Sequence, residues 1–283
     1  MAQARLAIVA GGGDLPRRVA EQARRTERNP FVVGLAGFAD DGFVSEFGGV
    51  QLSVGQLGKL IQLMRKEGCE EMVFAGWLKR PDFSTLKLDL KGIQSLPRIL
   101  AAAKKGDDAL LRAVMDVFAE AGFRIIGADD VLDDLRVGAG PLGRVAPRQE
   151  HWADIRRAAE VASVSGSLEI GQGAVSCDGL ILAVEAQEGT DRMLARIPDL
   201  TAEIRGTPEA RRGVLVKRPK PQQERRIDLP TIGVRTVAGA AAAGLAGIAV
   251  EAGAALVVDR EAVARAADKA GIFIYGFTLA ELA

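Results

Sequence analysis

Between residues 5 and 126 the chain alternates short apolar runs with segments of helical period, and no other feature narrows the fold as much. Arg5–Ala10 (RLAIVA), Phe31–Gly37 (FVVGLAG), Glu71–Ala75 (EMVFA) and Phe123–Ile126 read as strands. Strands covered on both faces read as nearly continuous apolar runs. Between them a helix opens near Pro16, and Gly55–Glu67 puts Leu57, Leu60, Ile61 and Met64 on one face. Leu96–Lys105 and Asp108–Ala121 also have helical spacing. Strands separated by helices give an α/β fold, a parallel sheet with helices on both faces. Ligands settle at the carboxyl ends of such strands, which puts Gly11–Asp14 and Gly76–Lys79 at the expected ligand edge.

A length of 283 residues suits two domains better than one core. Glycine, proline and arginine rise over Gly138–Arg148 (GAGPLGRVAPR), so the reading takes 1–137 as a parallel-sheet domain, 138–150 as a linker and 151–283 as a second α/β domain. In the second, Trp152–Val164 reads as a helix and Ala174–Ala186 contains strand-like runs. A helix opens at Gly189–Thr190–Asp191, and Gly213–Lys217 (GVLVK) is a short strand. An Ala/Gly-rich helix from Val237, Ala255–Val258, a helix from Arg260 and a terminal strand Ile272–Tyr275 complete it.

Basic and acidic residues cancel at 37 each, so no global field draws the molecule to nucleic acid, and recognition of charge must be local. Cys69 and Cys177 make no metal-ligand spacing and are expected as buried free thiols of a cytosolic protein. No secretory signal is read ahead of the first strand. The longest apolar stretch, Val237–Val250, falls short of the ~20 residues that span a bilayer.

Gly11–Gly12–Gly13 lies between a strand and a helix, where backbone can approach an anion and Asp14 can cap the helix. A tight βα turn needing positive φ explains the triplet equally well. It is not a dinucleotide fingerprint, because Pro16 stands where the third glycine belongs, and no Gly-Lys-Ser/Thr follows to make a Walker loop. In the second half, Glu185–Ala186–Gln187–Glu188–Gly189–Thr190–Asp191 puts glycine, hydroxyl and carboxylates at a strand-to-helix junction. From Arg205 to Arg226 eight Lys/Arg residues face only Glu209 and Glu224, an excess that suits a phosphate or diphosphate. A solvated basic loop, with an Arg226–Asp228 ion pair, is the plainer account of the same residues. His151 is the only histidine and is read as structural, so hydrolysis of a phosphoanhydride falls to carboxylates and a hard divalent cation. Magnesium binds through one or two carboxylates plus substrate phosphates, and Asp191 and Asp228 are the candidates.

Four segments together resemble the UDP-2,3-diacylglucosamine pyrophosphatases of the LpxI type, over essentially the whole chain. They are AGGGDLP at Ala10–Pro16, AGWLKRP at Ala75–Pro81, AVEAQEGTD at Ala183–Asp191, and VKRPKPQQERRIDLPTIGVRT at Val216–Thr236. Gln223–Glu224 stands where the family has Gln-Asp, which keeps the charge on a longer arm. The resemblance implies a Rossmann-like N-terminal domain, a C-terminal α/β catalytic domain and a ligand held between them. It further implies Mg2+-dependent hydrolysis of UDP-2,3-diacylglucosamine to UMP and 2,3-diacylglucosamine 1-phosphate (lipid X). Water attack at the β-phosphorus, a homodimer and a cytoplasmic protein with transient contact at the inner membrane surface go with it. On this reading Gly11, Gly12, Gly13, Ala75, Gly76 and Lys79 shape the first domain's part of the site. Gln187, Gly189, Thr190, Lys217, Gln223, Arg226 and Thr231 bind substrate, while Asp191 and Asp228 serve catalysis and the metal. Two acyl chains require an apolar cleft, which the sequence does not place. Trp77, Leu78, Phe83 and Phe277 are candidates for lipid contact, though single apolar residues are more often core. The rival readings are a non-catalytic nucleotide-sugar or phospholipid sensor and, against the broken glycine fingerprint, a nicotinamide oxidoreductase.

Overall fold

The computed structural model describes residues 5–79, 86–132, 134–221 and 229–283. Contacts divide these into one unit ending at Leu132 and a second beginning at Asp134.

In the first unit the apolar runs become β1 (Arg5–Ala10), β2 (Phe31–Leu35), β4 (Cys69–Ala75) and β5 (Arg124–Ile126). A further short strand, β3 (Val50–Leu52), joins them. All pair in parallel in the order β3-β2-β1-β4-β5, so the order reverses between β1 and β4. Open α/β sheets hold ligands at such a reversal, beyond the carboxyl ends of the strands. Helices α1 (Leu15–Arg25), α2 (Asp41–Glu46), α3 (Leu57–Lys66), α4 (Leu90–Ala103) and α5 (Asp107–Glu120) connect the strands. The side chains of Leu57, Leu60, Ile61 and Met64 on α3 do enter the core with Val9, Val33 and Met72.

Helix α4 starts six residues earlier than the periodicity indicated. Asp89 caps it by accepting the Gly92 amide at 2.8 Å, and Pro97 lies inside the helix rather than at its start. Asp14 gives α1 no side-chain cap, so the N-capping expected of it does not occur, although Pro16 does occupy the first turn.

The second unit contains β6 (Gly140–Pro141), α6 (His151–Ser167), β7 (Gly173–Cys177), β8 (Leu180–Val184), α7 (Gly189–Ala195) and β9 (Val214–Lys217). Then come β10 (Thr231–Ile232), α8 (Val234–Ala242), β11 (Gly247–Glu251), β12 (Leu256–Val257), α9 (Arg260–Ala270) and β13 (Phe273–Phe277). Six strands form one sheet in the order β6-β13-β11-β9-β7-β8, and β10 pairs with β12 separately. Strands β9, β11 and β13 are parallel; β6, β7 and β8 add antiparallel edges. Helix α6 covers one face through Ile155, Ala158 and Ala162, while α7, α8 and α9 cover the other.

Within 138–150, read as a linker, Gly140–Pro141 pairs with Tyr275 and Gly276 in the second sheet. The Ala/Gly-rich stretch after Val237 is not one helix: α8 ends at Ala242, Gly244 turns the chain at φ +75°, and the remainder is strand β11. Phe277 is fully buried in the sheet core, which removes it from lipid contact, and Phe83 lies outside the described residues.

His151 is structural in the sense expected. Its Nδ1 accepts the Arg148 amide at 3.0 Å and its ring lies 5.1 Å from that of Phe273. Burial, then the nearby Arg148 charge, hold its pKa below the ordinary value of 6.5. As pH falls from that value the unfolded chain takes up a proton the folded chain resists, so folding stability falls with it. A His151→Gln variant should show a flatter stability profile between about pH 7 and pH 5 in urea titrations; an unchanged slope would mean that other groups set it.

The loops at the reversal point rest on Gly76, at φ +90°, where an added Cβ would sit 2.4 Å from the Gly12 carbonyl oxygen. Gly76→Ala should therefore cost about 1–3 kcal/mol in denaturant unfolding, and parent-like stability would show that the loop relaxes freely.

Candidate functional site

At the carboxyl edge of the first sheet, the glycine triplet and the Gly76 loop are locked to each other. Gly11 donates its amide to Ala75 O at 2.8 Å, Gly12 donates to Trp77 O at 2.9 Å, and Trp77 donates back to Gly12 O at 3.0 Å. A Cβ on Gly11 would lie 2.6 Å from Trp77 O, and one on Gly12 would lie 2.6 Å from the Trp77 ring. The absence of side chains is what lets the two loops cross. Two of the three amides expected to face an anion are thus engaged within the protein, leaving Gly13, at φ +89°, exposed beside the Trp77 indole. Trp77 is 56% exposed and stacks edge-on to Phe38, and Lys79 is exposed.

The second sheet gathers more chemistry on its carboxyl edge. Parallel register pairs Val250 with Lys217, and antiparallel register pairs Lys217 with Gly173. Glu185, the first residue after β8, donates its amide to Gly173 O at 2.8 Å. Glu251, Lys217, Gly173 and Glu185 therefore lie in sequence along one edge, contributed by four different strands or strand ends. The β7–β8 hairpin that carries Glu185 turns on Asp178–Gly179, both at positive φ, as two-residue hairpin loops require. Asp154 of α6 clasps that turn, accepting from Ser176 Oγ at 2.7 Å and from the Asp178 and Gly179 amides at 3.1 and 2.9 Å.

Lys217 is buried at 5% exposure, and the partner of its ammonium is the Thr231 carbonyl at 3.3 Å. No carboxylate among the described residues pairs with it. An ammonium has three protons to donate, and a buried charge without a counter-ion is costly. The neighbouring cations are committed: Arg218 pairs with Glu251 at 2.9 Å and Lys220 with Glu169 at 3.1 Å.

Glu185 shows the opposite charge in the same condition. It is 7% exposed; Oε1 accepts the Thr190 hydroxyl at 2.9 Å, while Oε2 is buried with no donor among the described residues. Sequence reasoning quoted Glu185 within its motif but gave it no role, because its burial depends on the hairpin closing over Gly173. The Thr190 contact also limits that residue. With its proton directed at Glu185, Thr190 Oγ offers lone pairs to a sugar hydroxyl, an amide or a cation, rather than a proton to a phosphate.

The other expected residues are placed as follows. Asp191, in the first turn of α7, is exposed and ion-paired with Arg235 at 2.5 Å, a contact the sequence did not indicate across 44 positions. Gln187 is exposed. Gly189, at φ +77°, has open space where a Cβ would be. Thr231 joins the group through its carbonyl to Lys217 and its hydroxyl to Leu229 O. Gln223, Arg226 and Asp228, like Glu224, lie outside the described residues. Cys69 and Cys177 are free, buried thiols whose pKa values burial pushes up to about 11, so neither serves as a nucleophile at neutral pH.

Comparison with known proteins fits this arrangement of two units. The model of the LpxI N-terminal domain matches residues 5–135, and that of the LpxI C-terminal domain matches residues 138–275. Among curated proteins, the chain is 52% identical over 272 residues to UDP-2,3-diacylglucosamine pyrophosphatase LpxI of Caulobacter vibrioides, covering 96% of this chain and 97% of that protein. Among solved structures, N5-carboxyaminoimidazole synthase from Aspergillus clavatus aligns at a TM-score of 0.25 and 13% identity, over 63% of this chain and 40% of that one. That likeness is too slight to bear on fold or site. Matches to both domain models, in order, and to a full-length relative at this identity place the chain in the LpxI family.

Proposed function

We propose that the protein hydrolyses UDP-2,3-diacylglucosamine, the compound in the name of its Caulobacter relative, to UMP and 2,3-diacylglucosamine 1-phosphate. The observation that carries the reading is Lys217, a buried ammonium at a strand's carboxyl end whose hydrogen-bond partner among the described residues is the Thr231 carbonyl. A diphosphate supplies the missing counter-charge, and burial makes that contact stronger than it would be in water.

Magnesium fits the residues in kind. Among the described residues no group of three or more His, Cys, Asp or Glu is placed to hold a metal. An ion here would rest on one or two carboxylates and the substrate's own phosphates, the usual arrangement for this cation. Asp191 and Asp228 would hold it, and Glu185, whose Oε2 has no donor among the described residues, is a further hard oxygen ligand in kind. When bound, the ion neutralises the diphosphate and orients water.

The chain's own residues supply the rest. Lys217 takes phosphate charge, and Glu185 fixes the Thr190 hydroxyl so that its lone pairs face outward for a sugar hydroxyl or a cation. Asp228 is the carboxylate on which hydrolysis would depend in this reading. Water forms a bond to the β-phosphorus, the bond from that phosphorus to the bridging oxygen breaks, and UMP departs with the bridge. A homodimer in the cytoplasm, touching the inner membrane surface transiently to meet its substrate, belongs to the same reading. No helix among the described residues is long and apolar enough to cross a membrane.

The test is purified protein with UDP-2,3-diacylglucosamine in oxygen-18 water, with and without magnesium, products read by mass spectrometry. UMP and lipid X should form only with the metal, with label in lipid X. Label in UMP would move the attack to the α-phosphorus, and tight binding without turnover would make the protein a sensor. Asp228→Ala should keep substrate binding and lose turnover; full activity would remove Asp228 from the chemistry.

A further inference from the structure

Helix α4 carries apolar side chains on two faces, and only one of them is covered. Gly92, Ser95, Ile99 and Ala103 turn inward. Leu90, Ile93, Pro97 and Leu100 recur at the spacing of a second face. That face lies in solvent: Leu90 is 72% exposed, Ile93 57% and Leu100 37%, and Pro97 is exposed as well. A surface helix ordinarily turns charged and polar residues outward. A single exposed aliphatic side chain needs no explanation, but a row of them along about 15 Å of helix marks a contact surface.

Charge around the stripe indicates the partner. From Leu90 to Lys105 the chain has four basic residues and no acidic one. Arg98 is committed to Asp116 and Glu120 of α5. Lys91, Lys104 and Lys105, with Lys87 just ahead of the helix, form no ion pair among the described residues. Of the carboxylates nearby, Asp89 is occupied by the Gly92 and Lys59 amides, both at 2.8 Å, and Asp108 is buried beside Arg112. Unpaired ammonium groups therefore stand at both ends of an aliphatic row. An interfacial helix has this make-up: its apolar side enters the acyl boundary and its lysines meet anionic headgroups. Trp77 and Leu78, 56% and 41% exposed, extend the surface, since Leu78 lines the same apolar space as Gly92 and Leu96 of α4. Tryptophan favours the membrane–water boundary.

We propose that α4, with Trp77 and Leu78, is the face on which the protein lies against an anionic bilayer. The inference rests on the preceding reading, in which an acylated substrate is met at a membrane, and names the surface that makes the contact. Trp77 also belongs to the crossing with Gly12, so docking brings the carboxyl edge of the first sheet to the lipid. A patch of this size held by a few lysines binds reversibly and weakens with salt.

The test is vesicle flotation of the intact protein without substrate, on phosphatidylethanolamine–phosphatidylglycerol vesicles and on phosphatidylcholine alone. The parent should float with the anionic vesicles at low salt, and far less with phosphatidylcholine or at high salt. Leu90→Gln combined with Ile93→Gln should lower the partition coefficient by about tenfold or more. Lys104→Glu combined with Lys105→Glu should abolish the preference for anionic vesicles. Both variants change exposed positions, so each should melt at the parent temperature. A parent that does not float, or an apolar variant that floats like it, would overturn the proposal. So would a variant whose mass changes in sedimentation as flotation is lost, because the stripe would then belong to a contact between copies of the chain. Turnover of UDP-2,3-diacylglucosamine dispersed in detergent is read separately. Flotation without turnover would end the hydrolase reading and leave the docking face standing; turnover without flotation would do the reverse.

Discussion

Register in the second sheet decides which side chains meet. Pairing of Gly173 with Lys217 and of Lys217 with Val250 brings residues from three strands into one row at the carboxyl edge. A one-residue slip would send each side chain to the opposite face, and Lys217 would then meet either solvent or the apolar core. The register is secured far from the site. Asp154 clasps the Asp178–Gly179 turn with three hydrogen bonds, and the faces of the sheet are filled by Val214, Val216 and Ala249 on one side and Leu215, Ile248 and Val250 on the other. Lys217 and Glu185 inherit their positions from that packing. Among the described residues, a buried charge with no carboxylate partner and a buried oxygen with no donor are the kind of local disagreement with good core chemistry expected at a functional site.

The first unit reaches an edge of the same kind by another route. Five parallel strands bring two loops together at the order reversal, and glycine at Gly11, Gly12 and Gly76 allows their backbones to hydrogen-bond across the gap. The triplet is thus chiefly a device for a close crossing, with Trp77 laid over it. Behind the crossing the sheet and α3, α4 and α5 enclose an apolar space instead of closing fully.

The fold was legible where burial is symmetrical. Strands covered on both faces are contiguous apolar runs, so Arg5–Ala10 and Cys69–Ala75 could be found within a residue or two. Short elements left too little pattern: Val50–Leu52 and Asp41–Glu46 carry few periods of anything. In Val237–Val250 small residues suit helix and buried strand alike, and only the positive φ at Gly244 reveals where one becomes the other. Of the candidate site, the sequence indicated Lys217 and Thr190 only as polar residues near strand ends. The Glu185 oxygen, the Arg235 partner of Asp191 and the Trp77 crossing were not legible, because each depends on a contact that the hairpin or the sheet creates between distant positions.

Lys217→Met separates a functional lysine from a structural one, because it removes the charge and keeps most of the side-chain volume. Calorimetry with lipid X, in EDTA, on parent and variant gives the affinity, and urea unfolding of the free proteins gives the stability. A buried ammonium awaiting a phosphate contributes about 1.5–3 kcal/mol to binding and nothing favourable to the empty fold. The account therefore expects lipid X affinity to fall by about ten- to a hundredfold, with stability equal to or above that of the parent. Unchanged affinity, or a variant destabilised while still binding normally, would show that Lys217 supports the sheet and not the ligand.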